Sequence, residues 1–261
     1  MRRSCVAAQG PMDAYSKRRG VESLVFRAAA GGLLSAAVAF AAYRRAALTR
    51  SGAWAAAAAG AVLVLAGWKW LALVGTFFIT SSILTRLESP AAASRRSTDR
   101  RGRRWQQVAA NGGIAAAAAA IYAATGWPQG FGVAAGAIAA ATADTWATEL
   151  GRWSRTPPRL ITTGRPVAPG VSGGVTAAGT LASIAGALLI AVISVALDGP
   201  SRNPRPSWAV WIAVAGITGS LFDSVLGATV EGRWRRLDND AVNVAATAWG
   251  AALMLYATRT P

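Results

Sequence analysis

Long apolar runs alternate with arginine clusters along almost the whole chain, and that alternation restricts the fold more than any other feature. Eight runs stand out, at about 25–43, 52–68, 69–85, 107–125, 130–143, 174–196, 208–230 and 240–257. Several reach or approach the roughly 20 residues that span a bilayer. A hydrophobic share of 53% against 15% charged and a mean hydropathy of +0.35 point the same way. The expected fold is all-α, a polytopic transmembrane helical bundle of about eight helices. Several of these are short and rich in Ala and Gly, so they are expected to pack closely. Residues 1–24 read as a basic N-terminal tail with no cleavable signal, and 25–257 as a single integral-membrane domain. The second and third runs are nearly continuous, with Gly67 and Lys69 at the only turn. Trp54, Trp68, Trp70, Trp105, Trp127, Trp208, Trp211 and Trp234 fall near the ends of runs, where indoles favour the membrane interface.

The net charge of +16 invites a nucleic-acid reading, but its distribution argues against one. The arginines sit between the runs, as positive-inside loops do. Arg44, Arg45 and Arg50 form one group. Arg86, Arg95, Arg96, Arg100, Arg101, Arg103 and Arg104 form the next. Arg152, Arg155, Arg159 and Arg165, then Arg233, Arg235 and Arg236, complete the set. All four groups fall on one side, which is expected to be cytoplasmic, in the inner membrane of a bacterium. The tail, with Arg2, Arg3, Lys17, Arg18 and Arg19, runs against that assignment. The chain has no histidine and one cysteine, Cys5. Histidine-based triads, zincin motifs, Cys-based metal sites and internal disulfides are therefore excluded. A general base must be a carboxylate, a lysine or a tyrosine.

Polar residues inside apolar runs are the candidates for function, because charge in a membrane is costly. Asp144 and Glu149 lie in "ATADTWATELG". They are five residues apart, about 140° round an ideal helix, so they share a site only if the helix bends or ends there. Asp223 lies on a stripe with Gly219 and Gly227 in "GSLFDSVLGATVEG", small residues that would seat it in a helix seam. In "LDNDAVN", Asp238 suits an N-cap. Asp240, Asn239 and Asn243 suit Mg2+, a cation that takes carboxylate and amide oxygens. Gly170, Ser172, Gly173 and Gly174, just before an apolar run, form a glycine-rich loop of the kind that lets backbone N–H groups approach an anion. Thr163 and Arg165 add donors, and Asn111 is a polar residue within the fourth run. Arg103 and Arg104, about two turns before it, suit phosphate or lipid headgroups.

The motifs "FFITSSILTR", "QQVAANGG", "ATADTWATELG", "ITTGRPVAPGVSGGVTAAGTLAS", "GSLFDSVLGATVEG" and "LDNDAVN", taken in that order, resemble the integral-membrane family catalogued as domain of unknown function 92. The resemblance runs from about Ser51 to Ala251. The family includes plant and cyanobacterial phytyl-phosphate kinases. The resemblance implies transfer of a phosphoryl group from a nucleoside triphosphate, CTP-like, to an isoprenoid alcohol monophosphate such as phytyl phosphate. The site itself is read from chemistry. Asp144, Asp223 and Asp240 are expected to converge on Mg2+ with Asn239 or Asn243. The loop from Gly170 to Gly174, with Thr163 and Arg165, is expected to hold the donor's phosphates. Asn111 and Glu149 complete the substrate contacts. The expected partners are the nucleotide, a prenyl-phosphate lipid and membrane lipids, with no nucleic acid. Two alternatives stay open: a cytidylyltransferase forming a CDP-lipid, and an ion-coupled transporter using its intramembrane acids.

Overall fold

A computed structural model of the chain describes residues 10–87, 102–198, 206–231 and 237–259. The tail before Gly10, and Arg95, Arg96, Arg100, Arg101, Arg233, Arg235 and Arg236, lie outside the described residues. Eight helices occur among the described residues: α1 (Gly10–Arg44), α2 (Arg50–Ala66), α3 (Trp68–Arg86), α4 (Trp105–Thr125), α5 (Gly130–Gly151), α6 (Ala177–Asp198), α7 (Pro206–Thr229) and α8 (Asn239–Ala257). Each covers most of one of the apolar runs read from the sequence, although the run expected from 174 opens as a strand and its helix starts at Ala177. The turn between α2 and α3 is the single residue Gly67, at φ +126°, a conformation that favours glycine. Thr49 caps α2 by accepting from the Gly52 N–H, and Asp238 caps α8 by accepting from the Ala241 N–H.

Two boundaries differ from expectation. α1 begins at Gly10 and so extends back into the segment read as tail. α5 continues past the apolar run at 143 to Gly151. Hydropathy ends where polar residues begin, whereas the helix continues because Thr-Trp-Ala-Thr-Glu-Leu can keep its hydrogen-bond ladder. Between α5 and α6 the chain also forms a small antiparallel pair that the sequence did not announce. β1 (Arg159–Leu160) lies against β2 (Gly174–Val175), with Arg159 opposite Val175 and Leu160 opposite Gly174.

α5 is the axis of the bundle. Every residue from Gly130 to Ala143 is buried, as expected for a helix that is apolar on all sides. α3, α4, α6, α7 and α8 pack around it, while α2 lies against α4 and α1 against α2. Small side chains bring these helices close. A Cβ on Gly136 would strike the carbonyl oxygen of Gly250, and one on Gly219 would lie 2.5 Å from the Ala140 Cβ. α3, α4, α6 and α7 (from Ser207) are long and apolar enough to cross a membrane.

At the end of the bundle where α3 begins, Trp70 is fully buried rather than at an interface. Its ring centroid lies 5.2 Å from Tyr122 and 5.3 Å from Phe131. Beside it Lys69 Nζ donates to Asp198 Oδ1 at 2.7 Å and sits 4.3 Å from the Phe131 ring centroid.

Candidate functional site

The opposite end of the bundle, where α3, α5 and α7 finish and α4, α6 and α8 start, holds a cavity of about 1100 Å3. Its walls come from each of the four regions that the charge pattern placed on one side. Arg45 and Thr49, Arg103 and Arg104, Asp144 to Arg152, and Asp238 to Asn243 all contribute, with the glycine loop and Glu231 between them.

Asp144 on α5 and Asp223 on α7 face one another, and Glu231 is near enough for its charge to act on both. The glycine stripe explains the approach. Gly219 leaves room for Ala140 of α5, and a Cβ on Gly227 would lie 3.0 Å from the Gly173 amide nitrogen. Two acceptor atoms at this cavity are buried without a hydrogen-bond partner: Asp223 Oδ2 and Asn111 Oδ1. Asn111 uses only its amide hydrogens, donating to the Gln107 carbonyl at 3.1 Å.

Because α5 continues as one helix to Gly151, Asp144 and Glu149 meet different neighbours. Asp144 meets α7. Glu149 turns to α3, where its Oε1 accepts from Thr85 Oγ1 at 2.8 Å and its Oε2 from Arg152 Nη1 at 3.0 Å. Asp240 stands apart from the acid pair, with its Oδ2 accepting from Arg104 Nη2 at 3.2 Å. Asn239 is exposed in the first turn of α8, and Asn243 Nδ2 donates to the Asn239 carbonyl at 2.9 Å. All three line the cavity. Among the described residues no three acidic side chains are close enough to hold a metal ion. The expected convergence of three aspartates thus reduces to the pair Asp144 and Asp223. A pair with an unpartnered oxygen still fits Mg2+, which uses one or two carboxylates and leaves positions for water and substrate phosphates.

Gly170, Ser172, Gly173 and Gly174 line the cavity, but their roles differ. Gly173, at φ +76°, is required by packing, since a Cβ would lie 2.5 Å from that of Ala228 on α7. Gly170, at φ +91°, has open space around it and leaves its backbone accessible. Thr163 and Arg165 do not line the cavity. They sit at an exposed turn closed by Leu160 N–H donating to the Arg165 carbonyl at 2.9 Å.

Arg103 occupies a place that sequence reasoning gave only in outline. Its backbone pairs with the turn between α1 and α2: its N–H donates to the Ala47 carbonyl at 3.0 Å, and its carbonyl accepts from Thr49 N–H at 3.1 Å. Its Nη1 donates to Ser82 Oγ at 3.1 Å, and its guanidinium carbon lies 5.8 Å from both the Phe77 and Phe78 ring centroids. Burial pulls the guanidinium below its ordinary pKa, with Glu149 opposing; arginine nevertheless stays charged. Ser82, Thr85, Arg152 and Glu231 also line the cavity without having been singled out.

Residues 33–251 match the family described as integral membrane protein DUF92, and the chain belongs to that family. It is 33% identical over 222 residues to Protein PGR of Arabidopsis thaliana, covering 76% of this chain and 77% of that one. An uncharacterized membrane protein of Methanocaldococcus jannaschii is 42% identical over 123 residues, 46% of this chain and 49% of the relative. One from Synechocystis is 34% identical over 112 residues, 43% of this chain and 42% of the relative. No solved structure matches the chain. The protein is an integral membrane protein, as its motifs and apolar helices implied.

Proposed function

We propose that the protein is a prenyl-lipid kinase. In this reading it moves a phosphoryl group from a CTP-like nucleoside triphosphate to an isoprenoid monophosphate at the cytoplasmic face. The observation that carries it is the facing pair Asp144 and Asp223, with Asp223 Oδ2 unpartnered, at a cavity that also presents several arginines. Such a cavity suits two phosphate-bearing substrates. Asp144 and Asp223 would hold Mg2+, whose chemistry there is to offset the negative charge of the phosphate oxygens. The backbone at Gly170 offers donors to the nucleotide phosphates. An oxygen of the acceptor phosphate attacks the γ-phosphorus. The bond from that phosphorus to the bridging oxygen breaks, and its electron pair leaves with the nucleoside diphosphate. A phosphate acceptor is already ionised, so no general base has to take a proton. That requirement fits a chain without histidine.

Depth favours an enzyme over a transporter. Asp144 and Asp223 lie within about two turns of the ends of their helices, on the order of 10 Å, rather than at the midplane where transporter acids gather. The cytidylyltransferase alternative is separated by product. Purified full-length protein in detergent is incubated with Mg2+, each nucleoside triphosphate and a panel of prenyl monophosphates, and the products are weighed by mass spectrometry. The kinase yields a prenyl diphosphate and a nucleoside diphosphate. Pyrophosphate with a CDP-lipid, or no product, overturns it.

A further inference from the structure

A buried arginine is costly unless something compensates it, and the compensation visible at Arg103 is thin. A guanidinium carries five N–H donors. Among the described residues its side chain has one hydrogen bond, to Ser82. Glu149, the acid whose field reaches it, already has each carboxylate oxygen engaged, by Thr85 and Arg152. The remaining neighbours are the faces of Phe77 and Phe78.

Its backbone, by contrast, is over-determined. Leu48 and Arg103 form a bridge. Gly102, at φ +82°, fits where a Cβ would lie 2.7 Å from the Leu48 carbonyl carbon. Gly52 accommodates the Arg103 carbonyl, which a side chain there would strike. Two glycines and a bridge thus fix the root of a side chain whose charged head lacks a full set of partners, at a cavity wall. That is how a preorganised anion site is built.

The surroundings indicate which anion. Ser82 lies one turn, and Phe77 and Phe78 about two turns, inside the end of α3. Ile79 and Ile83 of the same helix are exposed on the outside of the bundle, where acyl chains lie. A nucleotide arrives from water, whereas a lipid phosphate hangs at this level with its chain in the apolar phase.

We propose that Arg103, held by Ser82 and the two phenylalanines, is the clamp for the phosphate monoester of the lipid acceptor, separate from the donor's place at Asp144 and Asp223. This deepens the kinase reading and rests on it for the word acceptor, but its test does not need turnover. Binding of geranylgeranyl monophosphate, geranylgeraniol and CTP to the full chain in detergent is measured by thermophoresis for the native protein and Arg103→Gln. The clamp predicts that Arg103→Gln weakens monophosphate binding by about tenfold or more, the size expected for lost hydrogen bonds to a charged group. Alcohol and CTP binding stay unchanged. Equal monophosphate binding overturns it, and so does a loss confined to CTP, which would move the donor to Arg103. Should Arg103→Gln not fold, Arg103→Lys and Ser82→Ala take its place. Both keep the charge and should still weaken the monophosphate about twofold to fivefold by spoiling the fork, and no change in either overturns the clamp. Arg103-dependent binding without any diphosphate product would sink the kinase and leave the clamp. Turnover with Arg103-independent acceptor binding would sink the clamp alone.

Discussion

The two ends of the bundle handle their charged groups in opposite ways. At the end near Trp70, Lys69 and Asp198 meet at 2.7 Å and the lysine also rests over Phe131; each charge has an answer. At the other end, Asp144 and Asp223 face one another as two acids with no cation between them among the described residues, Asp223 Oδ2 and Asn111 Oδ1 have no partner, and Arg103 is held by one hydroxyl and two rings. The lesson is that charge in a membrane bundle does not by itself mark function, because one pair here is simply part of the packing. Unanswered polarity beside a cavity is the informative sign.

The comparison breaks most visibly at the acid pair. Asp223→Asn should lower the initial rate of diphosphate formation by about 1000-fold, the scale of an electrostatic contact made in the transition state. Its melting temperature should not fall, since asparagine keeps the size of the side chain and can still hydrogen-bond to Asp144; a drop in melting temperature with activity intact would return Asp223 to a structural role. The far end should behave inversely. Lys69→Met strands Asp198 and should cost about 1 kcal/mol, the range of a partly exposed ion pair with a cation–π contact, seen in thermal unfolding with turnover unchanged. Smaller still, Arg104→Ala should alter turnover by no more than about threefold, because a surface pair of this kind is worth little. An effect as large as that of Asp223→Asn would bring Asp240 back into the metal set. The smallest effect belongs to Arg165→Ala, whose nucleotide KM should stay within about twofold of native, as expected for a surface substitution. A larger rise would show that the exposed turn reaches the donor.

The bundle was legible because hydropathy and helix length depend on local composition. Each apolar run became a helix, and the turn at Gly67 fell where a lone glycine interrupted two runs. The glycine stripe around Asp223 was also readable, since i, i+4 spacing on a helix is a local property. What could not be read depended on contacts distant in sequence. Asp144 and Glu149 part company because α5 continues to Gly151 and meets different helices on different sides. Thr163 and Arg165 fall outside the cavity lining, on an exposed turn beside a two-residue strand pair too short to leave a periodic signal. Arg103 gains its position from two glycines fifty residues apart: Gly102 fits against Leu48, and Gly52 makes room for the Arg103 carbonyl. Asp240 looked like a third metal ligand by spacing alone, and its pairing with Arg104 could be seen only in three dimensions.

The most direct test is divalent-cation binding at the acid pair, read by the Mn2+ electron paramagnetic resonance signal of the purified protein in detergent. Native protein and Asp198→Asn should capture Mn2+ alike, while Asp144→Asn and Asp223→Asn should leave it free in solution. Undiminished capture by Asp223→Asn would contradict the account, because the carboxylate it treats as waiting for a cation would then have nothing to do with one.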